Sequence, residues 1–69
     1  MTSTEMEAFV RIVIVHRGLP FAIQSVLPVQ DGWSIEVRGG SRGSFAFRVP
    51  SGRPVAMRVA IEEKLEAEL

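Results

Sequence analysis

Hydrophobic and polar residues alternate between residues 33 and 49, in the pattern of two paired β-strands. The apolar positions are Trp33, Ile35, Val37, Phe45, Phe47 and Val49. A connecting loop of three or five residues sets Trp33 opposite Val49, Ile35 opposite Phe47 and Val37 opposite Phe45. The pattern therefore predicts a hairpin with one apolar face and one polar face that bears arginines.

The preceding run, from Phe21 to Val29, predicts another strand, because apolar residues recur there at every second position. Its residues on one face are Phe21, Ile23, Ser25, Leu27 and Val29. A three-residue connection, Gln30 to Gly32, sets Val29 opposite Trp33 and Leu27 opposite Ile35. Because Pro28 has no amide hydrogen to donate, we expect a bulge there or a strand that ends before it.

The segment before this strand admits two interpretations. Thr4 and Glu7 have capping-box spacing, and Met6, Phe9, Val10 and Val13 form a stripe, which together indicate a helix from Glu5 to Arg17 that ends at Gly18. Against this, Phe9–Val15 contains four β-branched residues in succession, which fit a pleated surface better. We therefore predict a strand over Phe9–Val15, apolar on both faces and in need of cover on both, preceded by loosely ordered residues 1–6.

The C-terminal part of the chain predicts a helix from Val55 onward, with Pro54 in its first turn. One side of this helix is apolar at three- and four-residue spacing, through Met57, Ala60, Ile61, Leu65 and Leu69. Val55, Met57, Val59 and Ile61 also alternate like a strand, but Ala56, Ala60 and the need to cover one sheet face favour the helix.

These elements predict a single α+β domain over residues 1–69. Its sheet is a four-stranded antiparallel meander, and its one helix is C-terminal and packs on Trp33, Ile35, Phe45 and Phe47. A chain of 69 residues buries only about 60% of the surface that its unfolded form exposes, so its stability is marginal. No run approaches the roughly 20 apolar residues of a membrane span, and the N-terminus does not have the pattern of a signal peptide. We expect a cytoplasmic protein without membrane contact.

The charges are balanced in number but unevenly placed. Eight basic and eight acidic residues give a net charge of zero, yet residues 11–58 hold seven arginines against Asp31 and Glu36. The two ends of the chain are acidic. Either the acidic end neutralises arginines of its own or a partner chain, or the basic centre meets an anion.

The sequence offers little for catalysis. His16 is the only histidine, there is no cysteine, and no paired acid and base is visible. We therefore predict no enzyme activity, no catalytic residue, no metal site and no cofactor. A hydrolase-like site assembled around His16 at a dimer interface is a less favoured third possibility.

The arginines of the sheet supply the candidate binding residues. The loop from Arg38 to Ser44 could cradle a phosphate, although hairpin loops need glycine in any case. Arg38 and Arg48 lie on the polar sheet face with Glu36, which could simply pair with Arg48. The candidate residues for an anion or partner are Arg11, Arg38, Arg42 and Arg48. They support nucleic-acid binding as an alternative function.

Small and apolar residues between these arginines favour self-association instead. On the predicted second face they are Phe9, Val13, Val15, Ala22, Val26 and Ala46. An apolar patch on a marginally stable chain is typical of a protein interface. We predict a non-enzymatic protein-interaction module, a homodimer formed through its sheet by face packing or by an edge strand.

Overall fold

The computed structural model describes residues 1–69 and contains two helices and three strands. In chain order they are α1 (Ser3–Arg17), β1 (Phe21–Val29), β2 (Gly32–Gly39), β3 (Ser44–Pro50) and α2 (Pro54–Glu66). The strands form an antiparallel meander in the order β1-β2-β3, and α1 and α2 pack side by side on one face of it. The α+β class and the antiparallel sheet are confirmed. The prediction of four strands and one helix is wrong, because the first element is a helix.

The predicted hairpin is present in the predicted register. Trp33 pairs with Val49, Ile35 with Phe47, and Val37 with Phe45. All the inward side chains of this hairpin are buried, since the loop joins the strands in a register that places the two apolar sets on the same face. The loop turns through two glycines with positive φ, Gly40 (φ 73°) and Gly43 (φ 82°).

The pairing of β1 with β2 differs from the prediction by one residue. The connection has two residues, 30 and 31, so Pro28 lies opposite Trp33 and Val26 opposite Ile35. The bulge lies at Gln24 and not at Pro28, because the register shifts between positions 23 and 25. An extra residue reverses the alternation beyond it. Val26 is therefore buried in the core, whereas Leu27 is 57% exposed on the other face.

The segment Phe9–Val15 is helical, and its prediction as a strand is wrong. Each β-branched residue costs a helix up to about 0.7 kcal/mol relative to alanine. Full burial of a large aliphatic side chain contributes about 1.5–3 kcal/mol. Helix α1 buries four such side chains, so packing outweighs propensity; they are Met6, Val10, Val13 and Ile14.

Both ends of α1 are capped. The Thr2 hydroxyl accepts a hydrogen bond from the Glu5 amide (3.1 Å), and the Glu5 carboxylate accepts one from the Thr2 amide (2.7 Å). The hydrogen bond from the Thr2 amide lowers the pKa of Glu5. The stability that this bond contributes is therefore present at neutral pH and is lost as the pH falls through the lowered pKa. At the other end, Gly18 adopts the left-handed conformation (φ 62°). Residues 1–6, which we expected to be loosely ordered, thus supply the cap and first turn of α1.

Helix α2 begins at Pro54, as predicted, and the alternative of a strand over residues 55–61 is wrong. Met57, Ile61 and Leu65 are buried, and Ala60 packs against them. Leu69, expected on the same stripe, lies beyond the end of the helix and is 61% exposed. The inward residues of the hairpin, including Trp33 and phenylalanine at position 47, share one core of 15 apolar side chains with both helices.

The N-terminal cap gives a direct test of α1. Thr2→Ala removes the hydroxyl that accepts from the Glu5 amide, and we expect it to lower the free energy of unfolding by about 1 kcal/mol. Thr4→Ala is the matched control, because Thr4 lies inside the helix and should tolerate alanine. Urea unfolding of both variants measures the difference. A larger loss for Thr4→Ala would contradict this position of the cap.

Candidate interaction surfaces

Helix α1 is apolar on two opposite sides. Successive residues turn by about 100° around a helix axis, so the side opposite the buried stripe carries Ala8, Ile12 and Val15. These three residues are exposed, and the exposed fraction reaches 65% for Ile12 and 73% for Val15. Amphipathic surface helices usually carry polar residues there. The outward side of α1 therefore has the composition of a buried surface.

Helix α2 also carries apolar residues on its outward side. Val55 and Val59 lie one turn apart on the outward side of α2, and they are 65% and 44% exposed. A groove between the two helices is lined by Phe9, Ile12, Val13, His16, Arg58 and Glu62, so α1 and α2 lie side by side and the outward valines of α2 stand across this groove from Ile12. We call this surface the helical patch, and its residues are Ala8, Ile12, Val15, Val55 and Val59.

The remaining exposed large hydrophobic side chains do not form a second patch. Seven such residues occur in the structure, and four of them belong to the helical patch. Met1 and Leu69 lie at the chain ends, and Leu27 stands alone on the sheet. Exposed apolar residues that cluster, as Ala8, Ile12 and Val15 do on α1, are typical of interaction sites, whereas single ones are normal on any surface. The helical patch is therefore the main candidate surface of this chain.

Ion pairs join the C-terminal ends of the two helices. The Arg17 guanidinium donates to the Glu66 carboxylate at 2.5 Å, and its Nε lies 3.7 Å from Oε2 of Glu62. The hydrogen bond to Glu66 and the negative charges of both carboxylates raise the pKa of Arg17, because they favour the protonated guanidinium. Since the last turn of α1 meets the second half of α2, the helices run parallel.

Charge changes sign along each helix. The first half of α1 carries Glu5 and Glu7, and its last turn carries His16 and Arg17. The order is reversed in α2, where basic residues lie near the start and glutamates dominate the end. In α2 and the residue before it, these side chains are Arg53, Arg58, Glu62, Glu63, Lys64 and Glu66.

The face of the sheet away from the helices is uncovered. Its cross-strand rows are short and mostly polar, and the row nearest the middle joins Ser25, Glu36 and Ala46. The Ser25 hydroxyl lies 3.4 Å from Oε1 of Glu36. The other outward residues are Ala22, Leu27, Val29, Ser34, Arg38, Ser44, Arg48 and Pro50. Leu27 is the one strongly exposed large apolar residue of this face, whose other residues are mostly polar or small.

The four candidate arginines do not come together. Arg11 lies on α1, not on the sheet as predicted, and pairs with Glu7 at 2.8 Å. Arg42 lies in the β2–β3 loop and pairs with Glu68 at 3.2 Å, with its guanidinium 5.5 Å from the ring centre of Phe45. Only the other two share the open sheet face; they are Arg38 and Arg48.

Neither of these two arginines forms an ion pair, and the expected pairing of Arg48 with Glu36 does not occur. They stand two cross-strand rows apart, with the row of Glu36 between them. Of the small residues predicted on this face, only Ala22 and Ala46 are there. The others belong to α1 or to the core; they are Phe9, Val13, Val15 and Val26.

The β2–β3 loop uses its amides within the chain. The amides of Gly39 and Gly43 donate to carbonyls of the same loop, and the Ser41 amide donates to the Glu68 carbonyl at 3.1 Å. The Ser41 hydroxyl lies 3.4 Å from the same carbonyl. The loop therefore holds the C-terminus, which occupies several of the donors that a phosphate would need.

No group of three His, Asp or Glu side chains is placed to hold a metal ion. His16 is exposed near the end of α1 and lines the groove beside Arg58 and Glu62. Neither helix is long and apolar enough to cross a membrane.

The helical patch was missed from the sequence because its first half was interpreted as a strand. A signal was present in the spacing: Ala8, Ile12 and Val15 recur after four and three residues, and Val55 and Val59 after four. No protein-family model matches the chain, and neither the curated proteins nor the solved structures contain a significant match.

Alanine substitutions at two glycines of the β2–β3 loop test the contact between this loop and the C-terminus. A Cβ at Gly40 would lie 2.6 Å from the Glu68 carbonyl oxygen and 2.8 Å from the Phe21 ring, whereas one at Gly43 would meet nothing within 4 Å. Both positions have positive φ, so alanine costs each of them about 1–2 kcal/mol. We expect Gly40→Ala to lower the free energy of unfolding further than Gly43→Ala, as measured in urea. Equal losses would contradict the docking of the C-terminus on the loop.

Proposed function

We propose that this chain is a non-enzymatic protein-interaction module that acts as a homodimer joined through the helical patch. The observation that carries the proposal is that α1 has two opposite apolar sides, one of which lies in the core while the other faces solvent. A helix with such a sequence is normally covered on both sides. A second copy of the chain is the partner that is always present.

Energetics support this arrangement. Burial of apolar surface stabilises an association by about 25 cal/mol per Å². The patch contributes three valine or isoleucine side chains that are more than half exposed. A standard interface covers about 800 Å² of each partner. The chain exposes 4419 Å², so such an interface takes less than a fifth of its surface. For a chain of this size, association also adds to a small intrinsic stability.

The helical patch is better supported than the sheet as the dimer surface. The open sheet face offers Leu27 as its only strongly exposed large apolar side chain, and Val29 on the same strand is partly buried. Edge strand β1 contains the bulge at Gln24 and a proline at position 28, which are both features that discourage strand pairing. We therefore assign the predicted self-association to the helices.

Nucleic-acid binding has less support. Arg11 and Arg42 are engaged with glutamates of the same chain, on surfaces away from the open sheet face. The two arginines left there are separated by the row of Glu36, and the chain has no net charge. Phosphate neutralisation by two side chains gives only weak, salt-sensitive binding.

Two matched substitutions test the proposal. Ile12→Glu puts a charge in the helical patch, and Leu27→Glu puts the same charge at a similarly exposed site on the sheet. By sedimentation equilibrium, we expect the unmodified chain and Leu27→Glu to have twice the monomer mass of 7.6 kDa, and Ile12→Glu to have the monomer mass. Circular dichroism controls for the fold.

Two results would contradict the proposal. A monomer mass for the unmodified chain at tens of micromolar would exclude the homodimer. Dissociation by Leu27→Glu, with Ile12→Glu still dimeric, would place the interface on the sheet.

A further inference from the structure

We infer that the two copies stack their helical layers face to face, with each helix antiparallel to its own counterpart and the two sheets on the outside. This inference rests on the proposed function, and it names the arrangement of the partner. The result is a four-helix layer in which α1 lies on α1 and α2 lies on α2 of the second copy. The twofold axis runs across the helices.

Symmetry leaves two ways to stack two such layers with their helices aligned. Homodimers are mostly twofold symmetric, so each residue of the interface meets the same surface of the other copy. A twofold axis across the helices pairs α1 with α1 in antiparallel orientation. An axis along the helices pairs α1 with α2 of the second copy in parallel orientation, because α1 and α2 run parallel within each chain.

The apolar stripe of α1 fits the antiparallel arrangement. Ala8 and Val15 lie four and three residues from Ile12. An axis near Ile12 sets the small Ala8 against the larger Val15 of the second copy, and each Ile12 near the other. Ile12 lines the groove beside Arg58, so the neighbouring Val59 lies at about the same height on α2. One axis can therefore pass close to both Ile12 and Val59.

The charges of the helices are complementary in this arrangement. The acidic start of α1 approaches the end of α1 in the second copy, where His16 is exposed. Arg53, just before α2, approaches the acidic end of α2 in the second copy, where Glu63 forms no ion pair within its own chain. Arg11 lies near the axis, but Glu7 of the same chain neutralises it at 2.8 Å.

Helix dipoles distinguish the two arrangements. Stacking α1 on α2 of the second copy also brings opposite side-chain charges together, but all four helices then point the same way. Their partial charges of like sign meet at both ends of the layer. The antiparallel arrangement sets N-termini beside C-termini. The dipoles and the fit of Ala8 to Val15 therefore favour it.

The chain has no cysteine, so introduced cysteines report this geometry without background. We expect Ile12→Cys alone and Val59→Cys alone to form disulfide-linked dimers on mild oxidation. Ala8→Cys and Val15→Cys should form them only when the two variants are mixed, because a disulfide needs Cβ atoms about 3.5–4.5 Å apart. At micromolar concentration we expect these dimers to form about a hundredfold faster than those of Leu27→Cys on the open sheet face.

Sedimentation of each reduced variant separates failure of this inference from failure of the proposed function. Disulfides that form only between Ile12→Cys and Val59→Cys would show the parallel arrangement, and Ala8→Cys linked to itself would also exclude the antiparallel one. Reduced variants that remain dimeric but form no disulfide would overturn the inference and leave the dimer intact. Reduced variants and unmodified chain that are all monomeric would overturn both.

Discussion

The structure depends on covering one face of a three-stranded sheet. The inward side chains of the hairpin, from Trp33 to Val49, form a continuous apolar surface that cannot face water. Two helices side by side are wide enough to cover it, and this chain has only two. Both helices are therefore committed to the same face, and the opposite face must be stable in water by itself. Its rows of serine, alanine and charged residues meet that condition.

The same requirement explains why the outward side of the helices is the functional candidate. Helix α1 fills its place in the core with Met6, Val10, Val13 and Ile14, yet Ile12 and Val15 on the other side are equally apolar. These side chains are exposed and do not belong to the core, and helix stability alone would favour alanine or long polar residues there. Ion pairs of Arg17 with Glu62 and Glu66 hold α1 beside α2, whose outward valines are exposed on the same layer of helices. The self-association site that we propose would account for these features together.

Elements whose pattern is set by local rules could be predicted from the sequence. The hairpin register follows from two alternating runs, and the start of α2 from Pro54 followed by an apolar stripe. The register of β1 could not, because the bulge at Gln24 gives no compositional signal. Helix α1 was missed because four β-branched residues favour a strand locally, while the core that outweighs them is assembled from distant parts of the chain. As a strand, the segment would have placed Ile12 on the core side and Arg11 on the sheet, which is why the predicted site lay on the wrong surface.

The most direct test of this account is a dilution series of the isotope-labelled chain that spans its transition from dimer to monomer, followed through the NMR shifts of its methyl and amide groups. The account predicts concentration-dependent shifts at the outward residues of both helices, represented by Ile12, Val15 and Val59, and none at Leu27 or Arg48 on the open sheet face. A monomer mass by sedimentation at every concentration of the series, or concentration-dependent shifts that map to the sheet, would contradict it.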